Sequence, residues 1–380
     1  MEFTPTEGQA AVAKAAREFA EKEMRPVVMA YDESQEFPLP VVRKLGDLGF
    51  MGMTWPAELG GAGLTDIEAA VVIEELARVD PSVALTVASH NSLCTGHIML
   101  FGSPEQKKKF VPGLASGKSL GAWGLTEPGS GSDSGGMRTN ARRQGSAWVM
   151  NGSKTFITQG SVGATYVIMA VTDQGKGKKG ISAFIVPGGL KGFTIGKKEN
   201  KLGMRSSDTA TLLFDNVEIP AENLLGSEGD GFRQALAVLD GGRIGIAALS
   251  VGIAQGALDA SIAYARTRKQ FGRAIAEFQA IQWKIADMAT EINAARLLTH
   301  RAAWLKSRGE PFSLAASEAK YFASEAAVRA ANEAVQIHGG YGFIKEFPVE
   351  KLYRDVKLMT IGEGTSEVQK MIIARHLLQG

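Results

Sequence analysis

The sequence predicts an α+β fold in three consecutive parts. These are an N-terminal helical domain over residues 1–120, a middle β-sheet domain over 121–230, and a C-terminal helical bundle over 231–380. Three observations carry this reading. Apolar residues recur at helical spacing through the first 120 residues and again after about Gly231. Between these stretches lie short runs rich in β-branched and aromatic residues, separated by turn residues. Glycine is frequent, 45 in 380 residues, against the ~7% of an ordinary chain. It gathers in a few polar segments, which are the candidates for function.

Taken in order, residues 6–30 set Ala, Val and Phe at helical spacing among Lys, Glu and Arg, and 66–79 (DIEAAVVIEELARV) repeats the pattern. Pro38, Pro40, Pro56, Pro81, Pro104 and Pro112 punctuate this part, and Gly60, Gly61 and Gly63 mark a loop. Ser103 before Pro104 and Glu105 reads as a capped helix start. The runs WVMNGSKTFIT, ATYVIMAVT, ISAFIVP and TATLLFDNVEIP read as strands. Asn151-Gly152 is expected to be a hairpin turn, and QGKGKKG (174–180) a solvated loop. Residues 243–266, 277–308, 313–338 and 348–378 are long periodic stretches, broken around Gly309–Pro311 and Gly339–Gly342. Helices of that length imply a bundle.

Composition excludes several classes. Lys+Arg 42 against Asp+Glu 40 leaves a net charge of +2, without the basic excess of a nucleic-acid binder. Cys94 is the only cysteine, so no intrachain disulfide forms. The start, MEFTPTEGQA, has no apolar stretch of signal-peptide length. The apolar run between Arg243 and Asp259 carries Ser250, Gln255 and several glycines and is shorter than a ~20-residue membrane span. It reads as a buried core helix. The expectation is a cytoplasmic enzyme with no integral membrane segment.

Several chemistries lack their motifs. No GxxxxGK[ST] loop, HExxH or CxxC occurs. Gly129-x-Gly131 opens like a dinucleotide fingerprint, but Ser134 stands at the third glycine position. His90, Cys94 and His97 share one helix face, which permits a metal site or a packed face. Nothing nearby completes a ligand set, so no metal is expected.

Four segments carry the chemical signal. Trp123 to Asp133 (WGLTEPGSGSD) combines small residues with the hydroxyls of Thr126, Ser130 and Ser132; a flexible linker has the same composition. Asn151 to Thr158 ends in an aromatic plus Thr, which suits a planar ring but also an ordinary hairpin. Arg266 to Gly272 places basic residues before Phe271, which suits a pyrophosphate and a purine or a solvated helix end. Gln336 to Gly342 ends one helix, and Ile361 to Glu367 precedes the last. In the latter, Glu363 stands between two glycines, and Gly-Thr-Ser opens a helix whose free N–H groups can receive an anion or a polarised oxygen. An N-cap at Thr365 or Ser366 accounts for part of this pattern.

In this order and at this spacing, TEPGSGSD, NGSKTFIT, RKQFG, QIHGGYG and GEGTSEVQ resemble the acyl-CoA dehydrogenase family, most closely its short-chain and bacterial members. The resemblance covers nearly the whole chain. It implies a barrel-like middle domain, a C-terminal four-helix bundle and a homotetramer. It also implies FAD as cofactor, an acyl-CoA substrate and an electron-transfer flavoprotein as partner. On the matching positions, Trp123, Leu125, Thr126, Gly131, Ser132, Phe156, Ile157 and Thr158 would cradle the flavin. Arg268, Phe271, Gln279, Gln336, Ile337, Gly339 and Gly340 would reach the pyrophosphate and adenine of FAD bound mainly by a neighbouring subunit. Thr365 and Glu367 would close the FAD site, and Ser132, Asp240, Arg243 and Gly364 would contact acyl-CoA.

Glu363 matches the family's catalytic base. Some branches carry the base just before the arginine that matches Arg243; here that position is Gly242, which leaves Glu363. The acyl pocket floor is expected from His90 to Gly96 and from Leu239 to Ile246. The implied reaction is α,β-dehydrogenation of an acyl-CoA to trans-2-enoyl-CoA. A flavin oxidase or an enoyl-CoA reductase-like enzyme on the same scaffold is the alternative.

Overall fold

The computed structural model describes residues 4–379. Its N-terminal part holds α1 (Glu7–Phe19), α2 (Val28–Ser34), α3 (Leu39–Asp47), α4 (Asp66–Ala77), α5 (Pro81–Ser89), α6 (Gly96–Phe101) and α7 (Pro104–Ala115). Three of these start with reciprocal side-chain caps: Thr6 with Gln9, Thr65 with Glu68, and Ser103 with Gln106. The start at Ser103 is the one expected. Two wide π-helical turns, Ala20–Met24 and His90–Thr95, were not legible in the periodicity.

The middle part holds β1 (Gly121–Gly124), β2 (Asn140–Gln144), β3 (Ala147–Thr158), β4 (Thr165–Val171), β5 (Ile181–Pro187), β6 (Phe193–Lys198), β7 (Thr209–Pro220) and β8 (Leu224–Leu225). They form one mixed sheet in the order β6-β7-β3-β2-β4-β5-β8, with β1 parallel to β4. The end strands β6 and β8 do not pair with each other, so the barrel-like domain is an open sheet. Asn151-Gly152 is not the hairpin turn. Both residues lie inside β3, where Gly152 (φ 138°) marks a shift of register against β7. A side chain there would meet Thr139 Oγ1 at 2.6 Å, so the glycine serves a bulge. The turn between β2 and β3 falls at Gly145-Ser146 instead.

The C-terminal part holds α8 (Gly231–Thr267), a short hairpin of β9 (Lys269–Gln270) and β10 (Arg273–Ala274), α9 (Gln279–Ser307), α10 (Ser313–His338), α11 (Val349–Val356) and α12 (Ser366–Gln379). Among the described residues, α8 alone is long and apolar enough to cross a bilayer. Its middle is buried inside the protein, as Ile244, Ala247, Val251 and Ala254 show. That is the core helix the sequence implied.

The hydrophobic cores do not follow the three-part division. One cluster runs from Ala16 and Phe19 through Val72 and Leu76 into Leu249, Ala323 and Val356. The N-terminal helices and the bundle therefore share a core. Close approach is possible because a side chain at Gly252 of α8 would overlap the Glu74 carbonyl of α4. The sheet packs one face inward on itself around Trp148, Phe184 and Phe214. Its other face meets Cys94, Ile98 and Leu114 of the N-terminal helices. With both faces covered, β4 is buried along almost its whole length.

Candidate active site

The last two helices of the chain are joined through a short turn that holds Glu363. Glu363 (φ 52°) and Gly364 (φ 95°) both adopt left-handed backbone. Such a conformation is costly for a residue with a side chain unless its surroundings hold it. The holding groups are visible. Gln369 Nε2 donates to the carbonyls of Glu363 (3.3 Å) and Gly364 (3.0 Å). Lys320 Nζ, from α10, donates to the Gly364 carbonyl at 2.6 Å. Thr365 caps α12 by accepting from Val368 N–H at 3.3 Å.

The Glu363 residue is partly exposed, but its Oε2 is shut off from solvent and has no hydrogen-bond partner. Desolvation pushes its carboxyl up to about 7, against the opposing pull of Lys320 and Arg243. A side chain on Gly242 would overlap that Oε2 and would meet Leu93 Cδ2 at 3.2 Å. Gly242 thus supplies the space in which the carboxylate sits.

On the same helix, Arg243 is only 4% exposed and pairs with Asp240. Its Nη1 also reaches Ser317 Oγ at 3.5 Å, while its Nε has no partner. A cavity of about 520 Å³ opens between α4, the Asn91–Gly96 turn and α8. Its wall includes Ser92, Gly96, Asp240, Gly241 and Ile244, in the two segments expected to form the acyl floor. Glu363 and Gly242 are not part of that wall.

The expected flavin segments come together on the sheet. Trp123 lies on β1, and its indole N–H donates to His97 Nδ1 at 3.0 Å. The other ring nitrogen of His97 is 3.0 Å from Gln234 Oε1. Lys154, fully buried, donates to the Leu125 carbonyl (3.0 Å) and to Glu127 (2.7 Å). Burial draws that ammonium down to about 8 despite Glu127. Thr155 N–H donates to the Thr126 carbonyl at 2.9 Å. The Trp123–Glu127 strand and loop are therefore clamped from beneath.

Phe156 falls in the register shift between Lys154 and Ile157, takes φ 57°, and leaves its ring 65% exposed. Thr158 closes the strand, half-buried. Gly129 and Gly131 have nothing within 4 Å on their open side, and Ser132 is exposed. An exposed apolar ring beside a loop of small residues fits a planar aromatic cofactor. Ile157 differs from expectation: its side chain is 2% exposed and belongs to the sheet core. Only its backbone is left for a cofactor.

A second group of expected residues sits at one end of the bundle. Arg268, Ile337, Gly339 and Gly340 line a groove of about 460 Å³ together with Tyr264 and Tyr341. The Arg268 guanidinium lies 5.2 Å from the Tyr341 ring centre. Phe271 (φ 53°) is 95% exposed, and Gln279 and Gln336 are exposed nearby in sequence. No hydrogen bond or ion pair among the described residues joins this group to the Trp123–Thr158 surface. Glu367 is exposed in the first turn of α12.

The His90, Cys94 and His97 face is a packed one. His90 uses both ring nitrogens, on the Leu114 carbonyl and the Gly121 N–H, each at 3.0 Å. His97 uses both as described above. Burial lowers each imidazole to about 4. Sequence reading missed Lys320, Gln369 and the Glu127–Lys154 pair. Lys320 did leave a signal: it is a lone charge on the helical row of Ala316, Ala323 and Ala327.

The chain matches the acyl-CoA dehydrogenase N-terminal domain over residues 6–118, the middle domain over 122–217 and the C-terminal domain over 229–378. It is 47% identical to the short-chain specific acyl-CoA dehydrogenase of Clostridium acetobutylicum, with both chains covered in full. Butyryl-CoA dehydrogenase of Megasphaera elsdenii has the same fold, with a TM-score of 0.98 at 43% identity over all of both chains. A chain from work on the electron transferring flavoprotein of Acidaminococcus fermentans gives a TM-score of 0.99 at 46% identity, again over all of both chains. With every domain matched and relatives nearly half identical over the full chain, the chain belongs to the acyl-CoA dehydrogenase family of flavin-dependent oxidoreductases.

Proposed function

We propose that this enzyme uses FAD to dehydrogenate a short acyl-CoA thioester to its trans-2-enoyl-CoA, with Glu363 as the base. The observation that carries the reading is the Glu363 carboxylate, desolvated and unpaired, in the space left by Gly242. A thioester α-proton is weakly acidic, so its removal needs a base tuned upward and a site that favours negative charge on the carbonyl oxygen. Glu363 supplies the first, at about 7. Backbone N–H groups of the Glu363–Thr365 turn supply the second. When bound, FAD would accept the β-hydrogen as hydride.

Trp123 to Ser132 and Phe156 to Thr158 would hold the flavin ring, with Thr365 and Glu367 closing the site. Arg268, Phe271, Gln279 and Gln336 to Gly340 would serve the FAD of a neighbouring subunit in a homotetramer. Ser132, Asp240, Arg243 and Gly364 would hold the CoA thioester. A short acyl chain is supported by the relatives named short-chain specific and butyryl-CoA dehydrogenase. An electron-transfer flavoprotein as acceptor is supported by the context of the Acidaminococcus likeness.

Anaerobic titration of the holoenzyme with acyl-CoAs of increasing length tests the reading, with flavin bleaching as signal. The four-carbon substrate should bleach fastest. Glu363→Gln should stay yellow and bind acyl-CoA, yet bleach orders of magnitude more slowly. Bleaching at the wild-type rate in that variant would remove Glu363 as base.

A further inference from the structure

Lys320 is a charge where the helix otherwise buries small residues. It is 0% exposed and lies on the same face of α10 as Ala316 and Ala323. Burying an ammonium is costly unless it is paired. Yet no carboxylate lies within ion-pair distance of Nζ among the described residues, and its one hydrogen bond goes to the Gly364 carbonyl, at 2.6 Å. That carbonyl already accepts from Gln369 at 3.0 Å. A neutral donor therefore satisfies it, and the second, charged donor is redundant for satisfying the backbone alone.

We propose that Lys320 is a positioning residue for the base: its ammonium clamps the Gly364 carbonyl, holds the left-handed Glu363–Gly364 turn, and keeps positive charge beside the Glu363 carboxylate. The proposal rests on the reading of Glu363 as base. The surroundings leave this charge effective. Arg243, the other cation facing Glu363, is neutralised by Asp240 on its own helix. Glu325 on α10 and Glu367 on α12 also act on Lys320. Glu325 is occupied by the Ser366 hydroxyl at 2.6 Å, and Glu367 is exposed. Burial draws the ammonium down to about 8, and Glu363 pulls the other way. The two groups hold each other's charge without forming a contact pair, which would tie up the carboxylate.

The sign is fixed by electrostatics. A cation nearby favours the ionised carboxylate, so its removal raises the carboxyl's pKa by ~1 unit. The base works ionised, so the acid limb of flavin reduction should move to higher pH. The experiment follows anaerobic reduction of FAD-loaded enzyme by butyryl-CoA from pH 5.5 to 9. Lys320→Met removes the charge; Lys320→Gln removes it but keeps a donor for the carbonyl; Lys320→Arg keeps both.

In Met and Gln variants the limb should rise by ~1 unit, giving roughly tenfold slower reduction at pH 6. The Arg variant should restore the wild-type limb. A limb unmoved in Met or Gln overturns the proposal. So does failure of both to fold and retain FAD, which would make Lys320 a packing residue. Glu363→Gln, run alongside, separates the two readings. Fast bleaching there removes the base itself, whereas slow bleaching with an unmoved Lys320 limb removes only the role of Lys320.

Discussion

Gly242 and Glu363 occupy one volume between them, because a methyl group on Gly242 would overlap Glu363 Oε2. This gives a test that separates catalysis from folding. Gly242→Ala should not destabilise the enzyme. Ala is favoured over Gly by ~1 kcal/mol inside a helix, and the atom displaced is the end of a flexible side chain. Displacing a carboxylate by about 1 Å should still slow flavin reduction by ~100-fold. A variant with wild-type reduction would put the working carboxylate elsewhere.

The pH dependence carries a second sign. The raised carboxyl of Glu363 means that the folded protein holds this proton more tightly than the unfolded chain does. Its contribution to stability is therefore full below about pH 4.5 and lost as pH rises through 7. Glu363→Gln should match wild type at pH 5 and be the more stable at pH 8, on the order of 1 kcal/mol. Thermal unfolding at the two pH values checks it; a variant less stable at pH 8 would contradict the desolvated carboxylate. Glu363 was legible in the sequence because two glycines flank it and the rival position is a glycine. Lys320 left only the mark of a lone charge on a row of small residues, and its role was not legible, since that depends on a turn 44 residues away meeting its helix.

At the level of elements, helices declared themselves by period and by caps such as Ser103 with Gln106. The strand signal was weaker at its ends. Asn151-Gly152 has the composition of a hairpin turn, but β3 runs through it because β7 pairs with both flanks. Local turn chemistry lost to pairing between strands. The shared core of α4 and α8 was also invisible, because periodicity marks a buried face without naming what covers it. Gly252 is where that contact is tightest. Gly252→Ala gains the same helix propensity as Gly242→Ala but meets backbone, the Glu74 carbonyl, which cannot swing away. Overpacking of this kind costs ~1–3 kcal/mol or more. The variant should unfold at lower temperature, while Gly242→Ala should not. Equal melting temperatures for the two would mean that the helices slide apart freely.

For the whole molecule, the order of five modest motifs spoke more clearly than any one of them, and it gave the family and the helix–sheet–helix fold. It could not say how electrons leave. Cys94 is the only cysteine and is buried among apolar side chains, so the chain offers no iron–sulfur ligands. The GxGxxG string at Gly175–Gly180 joins the antiparallel strands β4 and β5 and opens no α-helix, so it lacks the setting of a dinucleotide-binding turn. The electrons taken from substrate must therefore pass to something outside the polypeptide. Oxygen is chemically able to take them, but product held over the flavin surface, in a site closed by the Glu363 turn, should exclude it. Turnover in air should be slow and should rise sharply with an electron-transfer flavoprotein or a ferrocenium salt. The measurement is hydrogen peroxide formed per enoyl-CoA produced, in air and without added acceptor. A slow reaction that accelerates on adding acceptor supports the dehydrogenase. Fast turnover with a ratio near one would make the enzyme an oxidase, with a flavin edge that its own product leaves open to oxygen.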